Sequence, residues 1–127
     1  MAISQIITAG PSGETIYTDT NIANAVVDGI KNSSAVIYYL TINNTLNAAV
    51  SYIKLFNVAS GSVVVGTTPP DFIVYCPAGV ITTLPFFTGS VPGLTFPTAL
   101  SALCSTTGGT VSSGAPAFAV TMSIAYV

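Results

Sequence analysis

The sequence carries very little charge. Only 5% of its 127 residues are charged, compared with about 25% in typical globular domains. The charged residues are Glu14, Asp19, Asp28, Asp71, Lys31 and Lys54. Two lysines and a net charge of −2 exclude nucleic acid as a partner, because affinity for phosphate backbones comes from many basic side chains. The same shortage argues against binding to an anionic membrane surface.

Histidine and tryptophan are also absent. Without histidine the usual proton shuttle near neutral pH is missing, so a general base would have to be a carboxylate or a lysine with a shifted pKa. The four acidic residues are scattered along the chain, and they do not form the ligand clusters that zinc or calcium sites need. We therefore predict that the protein is not an enzyme and has no cofactor, metal or small-molecule substrate.

Long apolar runs are missing as well. A transmembrane helix needs about 20 consecutive apolar residues, and the apolar runs here are broken by Ser, Thr, Asn, Gly and Pro. The first residues, Met1–Gln5, lack the basic region that opens a secretory signal. These features predict a soluble protein that is made and used without export.

A surface with so few charges favours association with other molecules. Six charged residues and 30 Ser and Thr would have to cover about 6,000 Å² on a folded monomer of this mass. Hydroxyl groups hydrate a surface but do not repel other molecules, and proteins near zero charge tend to associate. The composition therefore predicts self-association or co-assembly with other subunits.

What the chain does contain is a series of short β-type segments closed by turn residues. They are Glu14–Thr18, Ile22–Lys31, Ala35–Asn43, Ala48–Val58, Phe72–Cys76, Val80–Phe87, Leu94–Leu103 and Phe118–Val127. This spacing is typical of a sandwich or barrel. We predict an all-β fold, a single antiparallel β-sandwich over residues 14–127, preceded by an N-terminal arm over residues 1–13 that ends in a Gly-Pro turn. The stretch Ser105–Pro116 is predicted to be a long mobile loop.

Two segments show which residues should face the core. In the last one, Phe118, Val120, Met122, Ile124 and Tyr126 alternate with small residues, so one face of that strand is large and apolar. The segment Val50–Asn57 is apolar on both faces, which is typical of a central strand covered on both sides.

The segment Ile22–Lys31 allows two interpretations. Ile22, Val26 and Ile30 are four apart and would suit a helix capped by Asp19 or Thr20. Asn, Val and Gly within the segment favour a strand instead.

Cys76 and Cys104 follow apolar residues with no cation nearby in sequence. A reactive cysteine needs a basic or helix-terminal environment, and a stable disulfide is typical of exported proteins. We predict two buried, unpaired thiols that act as small hydrophobic groups.

Two stretches place apolar residues where a free monomer should prefer polar ones. The arm contains Ile3, Ile6 and Ile7, and the segment after Pro85 contains Phe86, Phe87, Val91 and Pro92. Neighbouring residues on a strand point to opposite faces, so Phe86 and Phe87 cannot both enter one core. We predict that these residues form a partner interface. The alternatives are that the arm adds a strand to its own sheet and that both phenylalanines are buried.

Four motifs occur in a fixed order along the chain. They are Tyr52-Ile53-Lys54-Leu55-Phe56-Asn57, Val65-Gly66-Thr67-Thr68-Pro69-Pro70, Phe72–Val74 with Pro77-Ala78-Gly79, and Leu94–Leu100. This order resembles a family of small capsid cement, or decoration, proteins of tailed bacteriophages, including cyanophages, in which a hydrophobic C-terminal strand follows. The resemblance covers residues 28–127. The chain differs in its uncharged last loop and in a longer loop after Phe86.

The resemblance implies a jelly-roll-like fold and a homotrimer that binds the major capsid protein on the capsid surface of the virion. It implies no catalytic residue. Two alternatives stay open: a head-fibre base or tail structural protein, and a carbohydrate-binding β-sandwich that uses Tyr38 and Tyr39.

Overall fold

The computed structural model describes residues 5–9, 14–86 and 93–127. These residues form ten β-strands and one short 3-10 helix, Ser60–Ser62, and no α-helix occurs among them. The strands are β1 (Gln5–Ala9), β2 (Thr15–Asp19), β3 (Asp28–Lys31), β4 (Ala35–Asn43), β5 (Ser51–Phe56), β6 (Phe72–Cys76), β7 (Ile81–Pro85), β8 (Leu94–Phe96), β9 (Leu100–Ser105) and β10 (Thr121–Tyr126).

The strands form two antiparallel sheets that pack as a sandwich. Sheet A has the order β1-β2-β10-β4-β7, with β8 also paired to β4, and sheet B has the order β3-β9-β5-β6. From β2 onwards the pairing is nested, because β2 pairs with β10, β3 with β9, β4 with β7 and β8, and β5 with β6. The predicted all-β antiparallel sandwich is confirmed.

The core lies between the two sheets and follows the alternation read from the sequence. On β10, Met122 and Ile124 are fully buried, and they belong to the same core cluster as Ile53 and Leu55 of β5. Phe118 does not join them, because the strand begins only at Thr121 and the Phe118 side chain is 63% exposed. The predicted apolar face of the last strand is therefore correct from Val120 onwards.

A β-bulge interrupts β4. Ile37 pairs with Tyr126 and Tyr39 with Ala125, so Tyr38 is the additional residue. Ile37 and Leu40 are both fully buried although they are three residues apart. The bulge resets the alternation between them, and both Tyr38 and Tyr39 lie away from the core.

Strand β5 is central in sheet B, as its pattern predicted. It pairs with β9 on one side and β6 on the other. Ile53 and Leu55 are buried on the core face, and Lys54 and Phe56 are buried on the outer face. Loops therefore cover part of the outer face of this sheet.

Two of the predicted strands differ most in extent from those of the structure. Only Asp28–Lys31 of the segment Ile22–Lys31 is a strand, and the residues before it form bends rather than a helix. The segment Leu94–Leu103 is split between β8 in sheet A and β9 in sheet B. Pro97 cannot donate to a strand ladder, and the backbone amides of Thr98 and Ala99 bond instead to the Asn57 side chain.

The arm contributes an edge strand to its own sheet. Strand β1 pairs with β2 in register from Gln5↔Asp19 to Ala9↔Thr15, which matches the alternative to a partner-bound arm. The predicted hinge, residues 10–13, lies outside the described residues.

Candidate interaction surfaces

The few charged residues are mostly hidden. Glu14, Asp19, Asp28 and Lys54 are buried, whereas Lys31 is half-buried and Asp71 is exposed. All six charged residues of the chain lie in its described part. An accessible surface of 6055 Å² therefore presents only two charged side chains to solvent.

Lys54 is the least expected of the buried charges. It projects from the outer face of β5, and its ammonium group donates to the Val111 carbonyl and, at 3.0 Å, to Ser112 Oγ. Both acceptors are neutral, so burial lowers the pKa of Lys54. The two bonds tie the predicted mobile loop across the face of sheet B, and Ser105 Oγ adds a bond to the Gly114 carbonyl at 3.0 Å.

The outer face of sheet A carries a row of hydroxyl groups. Thr18, Ser123, Thr41 and Thr83 lie side by side on four adjacent strands, β2, β10, β4 and β7. Thr18 Oγ1 and Ser123 Oγ are 2.9 Å apart and hydrogen-bonded. We call this row, with its flanking residues Tyr39 and Ile81, the hydroxyl face.

The flanking residues of the hydroxyl face are apolar and exposed. Ile81 pairs with Asn43 on one side of the row, and Tyr39 pairs with Pro85 on the other. Ile81 is 57% exposed and Tyr39 is 39% exposed. The hydroxyl face contains no charged residue. A partner that binds it would therefore compete only with water for hydrogen bonds to its hydroxyl groups.

A second apolar surface lies at the end of the sandwich. Leu46, Val80 and Phe118 are all exposed there, and they lie on three different loops. Asn44 joins two of these loops, because its backbone N–H donates to the Val80 carbonyl at 3.1 Å. A depression of about 240 Å³ beside Phe118 is lined by Ala48, Ala49, Ser51, Ala115 and Pro116, among others.

The loops at this end are held by two buried asparagines. Asn44 Nδ2 donates to the carbonyls of Ala49, Cys76 and Pro77 at 3.1–3.2 Å. Asn44 Oδ1 accepts from Asn47 Nδ2 at 2.9 Å. The exposed side chains at this end therefore stand on a backbone fixed by satisfied hydrogen bonds.

The structure describes only some of the residues that the sequence predicts for a partner interface. Ile7 on β1 is 64% exposed, and Phe86 is half-buried, with its ring 5.5 Å from and edge-on to that of Phe72. Phe86 therefore packs at the margin of the core rather than serving as a free anchor. Ile3, Phe87, Val91 and Pro92 lie outside the described residues, and Ile6 is described only through its backbone pairing with Thr18.

The two cysteines are free and buried, as predicted. Burial raises the pKa of Cys76 to about 11 and that of Cys104 to about 12. Each thiol therefore stays protonated near neutral pH and is a poor nucleophile.

Several buried polar side chains lie between the sheets. Tyr17 on β2 and Asp28 on β3 are 2% and 3% exposed. Burial first, and then the negative charge of Asp28, raise the pKa of Tyr17. Tyr126, also buried, donates from its hydroxyl to the Ile30 carbonyl at 3.4 Å. These groups link β2 and β10 of sheet A to β3 of sheet B, and they are closed to solvent.

No three His, Cys, Asp or Glu side chains among residues 5–9, 14–86 and 93–127 come together to hold a metal ion. No helical segment in these ranges has the length and apolar character of a membrane span.

Comparison with known proteins gives no relative. No family model, no curated protein and no solved structure matches the chain.

Proposed function

We propose that this protein is a non-enzymatic structural subunit of a phage virion, a capsid cement or decoration protein that binds the major capsid protein. The observation that carries the proposal is the nearly uncharged surface. Of the six charged side chains, only those of Lys31 and Asp71 are not buried. A surface of this kind is disfavoured in a free monomer, because it lacks the charge that prevents association.

The size of the surface fits a subunit with several neighbours. A standard specific interface buries about 800 Å² on each partner. Contacts of that size with two or three neighbours would cover a substantial part of the 6055 Å² that the chain exposes.

The strand order supports a jelly-roll assignment. In the nested pairing, β2 pairs with the last strand, β10, and each following strand pairs with one further inward. A jelly roll is an eight-stranded double sheet of this antiparallel kind. The assignment agrees with the order of motifs that resembles phage cement proteins, for which the resemblance implies a homotrimer.

We place the capsid contact on the hydroxyl face. Its strands present a row of Thr and Ser between two apolar margins, so a partner can bury apolar area while it replaces the water bonded to the hydroxyls. No charge on this face has to be desolvated when the partner binds.

Quantitative mass spectrometry of purified particles tests the proposal. A cement protein is expected at hundreds of copies per particle. A few dozen copies or fewer would favour the alternative role as a head-fibre base or tail protein, and absence from particles would rule out both.

Paired variants test the contact face. Thr41→Lys with Ser123→Lys puts two charges on the hydroxyl face, and Ser33→Lys with Ser34→Lys puts two charges on the exposed turn between β3 and β4. We expect the first pair to lower occupancy on capsids that lack the native protein, because a charge buried without a partner is costly. The turn variant should bind normally. Equal occupancy of the two would place the contact elsewhere.

A carbohydrate-binding role is a second candidate because of the bulge in β4. It turns both Tyr38 and Tyr39 away from the core, and adjacent aromatic rings are suited to stacking on sugars. A glycan array with no hit would remove this candidate.

A further inference from the structure

The sandwich has strand edges that differ in how they are protected. Exposed edges of natural sheets usually carry charges, prolines or bulges that prevent pairing with another chain. Strand β3 has Asp28 and Lys31 at its ends and a register shift between Gly29 and Lys31. Strand β7 ends in Pro85.

Strand β6, Phe72–Cys76, has none of these devices. Within residues 5–9, 14–86 and 93–127 it pairs only with β5, it contains no charge and no proline, and its register with β5 is unbroken. No other strand of these described residues lies along the second side of its backbone.

The side chains on the outer face of β6 are large and apolar. Ile73 is 38% exposed and Tyr75 is 56% exposed, whereas Val74 and Cys76 point into the core. The Tyr75 ring is held edge-on to Tyr52, with the ring centroids 5.7 Å apart. The strand thus offers a fixed backbone edge beside an apolar strip.

From these observations we infer that β6 pairs with β6 of a second copy of this chain, antiparallel about a two-fold axis through Val74. In that register Ile73 lies opposite Tyr75 of the partner subunit, which is a favourable aromatic and β-branched pair. The nearest charge, Asp71, lies opposite Pro77 of the partner subunit, so no like charges meet. The same strip serves both copies, as an isologous contact requires.

Pairing of this kind joins the two B sheets into one continuous sheet. It leaves the hydroxyl face on sheet A free, so the inference goes beyond the proposed function and does not depend on it. A two-fold contact closes at two copies, in contrast to the homotrimer that the resemblance implies.

Sedimentation velocity over a micromolar concentration series tests the dimer. The wild-type protein should give a species of twice the 12.9 kDa chain mass. Ile73→Lys with Tyr75→Lys should give a folded species of 12.9 kDa, because the lysines at these two positions would face those of the partner subunit across the pair. Ser33→Lys with Ser34→Lys, the matched control on the exposed turn between β3 and β4, should remain dimeric.

Three results would overturn the inference. They are a monomeric wild-type protein, a trimeric mass, and a dimer that survives the β6 lysines. The proposed function is tested separately, by the copy number of the protein in purified particles. Circular dichroism and the melting temperature establish that each variant is folded.

A disulfide experiment tests the register and stays informative if the lysine variant does not fold. An oxidised mixture of Ile73→Cys and Tyr75→Cys proteins should form a covalent heterodimer, whereas each variant alone should form little. The native thiols are buried and free, so the Cys-to-Cys link can be assigned by peptide mapping. No heterodimer, or equal linking of each variant with itself, would overturn the pairing.

Discussion

Asn47 and Phe118 are joined by two hydrogen bonds across 71 residues of sequence. The side chain of Asn47 donates from Nδ2 to the Phe118 carbonyl at 3.0 Å and accepts at Oδ1 from the Phe118 N–H at 2.8 Å. This amide therefore does for Phe118 what a neighbouring strand does within a sheet. It fixes the start of the segment that leads into β10.

We expect Asn47→Ala to destabilise the protein by about 1–3 kcal/mol, because backbone groups of Phe118 and Oδ1 of Asn44 each lose a partner. Urea unfolding measures the change in the free energy of unfolding. Asn32→Ala, at an exposed turn position, is the control and should change it by less than about 0.5 kcal/mol. A matching small change in both variants would contradict the structural role of Asn47.

Lys54→Met should keep or raise the free energy of unfolding at pH 7. Methionine matches the length of the stem but removes a buried charge, and replacing buried charges with apolar groups is often neutral or stabilising by about 1–4 kcal/mol. Lys31→Met, at a half-buried site, is the control. A clear loss of stability in Lys54→Met would show that the two bonds to the loop outweigh the cost of burying the charge.

The pH dependence of the Lys54 effect has a definite sign. The pKa of Lys54 is lowered in the folded state from 10.5, so the unfolded chain binds more protons between the lowered value and 10.5. Stability of the wild type relative to Lys54→Met should therefore rise with pH in that window. Comparing the two proteins at each pH cancels the titrating groups that do not interact with Lys54.

The cysteines should destabilise the protein at alkaline pH. Because burial raises the pKa of Cys76 from 9.0 to about 11, the folded state keeps a proton that the unfolded chain has lost. Stability should fall with pH above 9.0, by about 1.4 kcal/mol per unit for this group. Cys76→Ala should flatten that fall, measured against the wild type.

The thiols themselves can be counted by intact mass. Alkylation in denaturant without reductant should add two groups, and alkylation of the native protein should add few. Two groups that appear only after reduction would show a disulfide.

Ile124→Ala should cost about 2–5 kcal/mol of stability, because it leaves a cavity at a fully buried core position. Ser123→Ala, the neighbouring residue on the outer face of the same strand, should cost much less. Thermal unfolding of the two variants gives the comparison, and a change below about 0.5 kcal/mol for Ile124→Ala would show that β10 is peripheral.

The predicted interface of the arm and the segment after Phe86 stays a prediction. Deleting residues 2–9 removes β1 from the edge of sheet A but leaves β2 paired with β10, so the free fold should survive. Phe87→Ser with Val91→Ser changes residues outside the described ranges. Capsid occupancy should fall for both proteins while their melting temperatures stay close to the wild type. Normal binding by both would place the interface elsewhere, and unfolding of both would make these residues part of the core.

The sequence by itself determined the fold class and most of the strands. Strands β4 and β6 have the predicted bounds, and the alternation on β10 identified its core face, because side chains on a strand point alternately to its two faces. The absence of histidine and of clustered acids was likewise readable without a structure. These properties are local or compositional, so they do not depend on which strands meet.

Only the tertiary structure decided which surfaces are exposed. The sequence counts six charged residues, but it cannot show that Lys54 lies beneath a loop more than 50 residues away or that Asp28 faces Tyr17 across the sandwich. The hydroxyl row depends on the register of four strands, and the free edge of β6 depends on the strand order. Register and strand order arise from contacts between distant segments, and local patterns do not contain them.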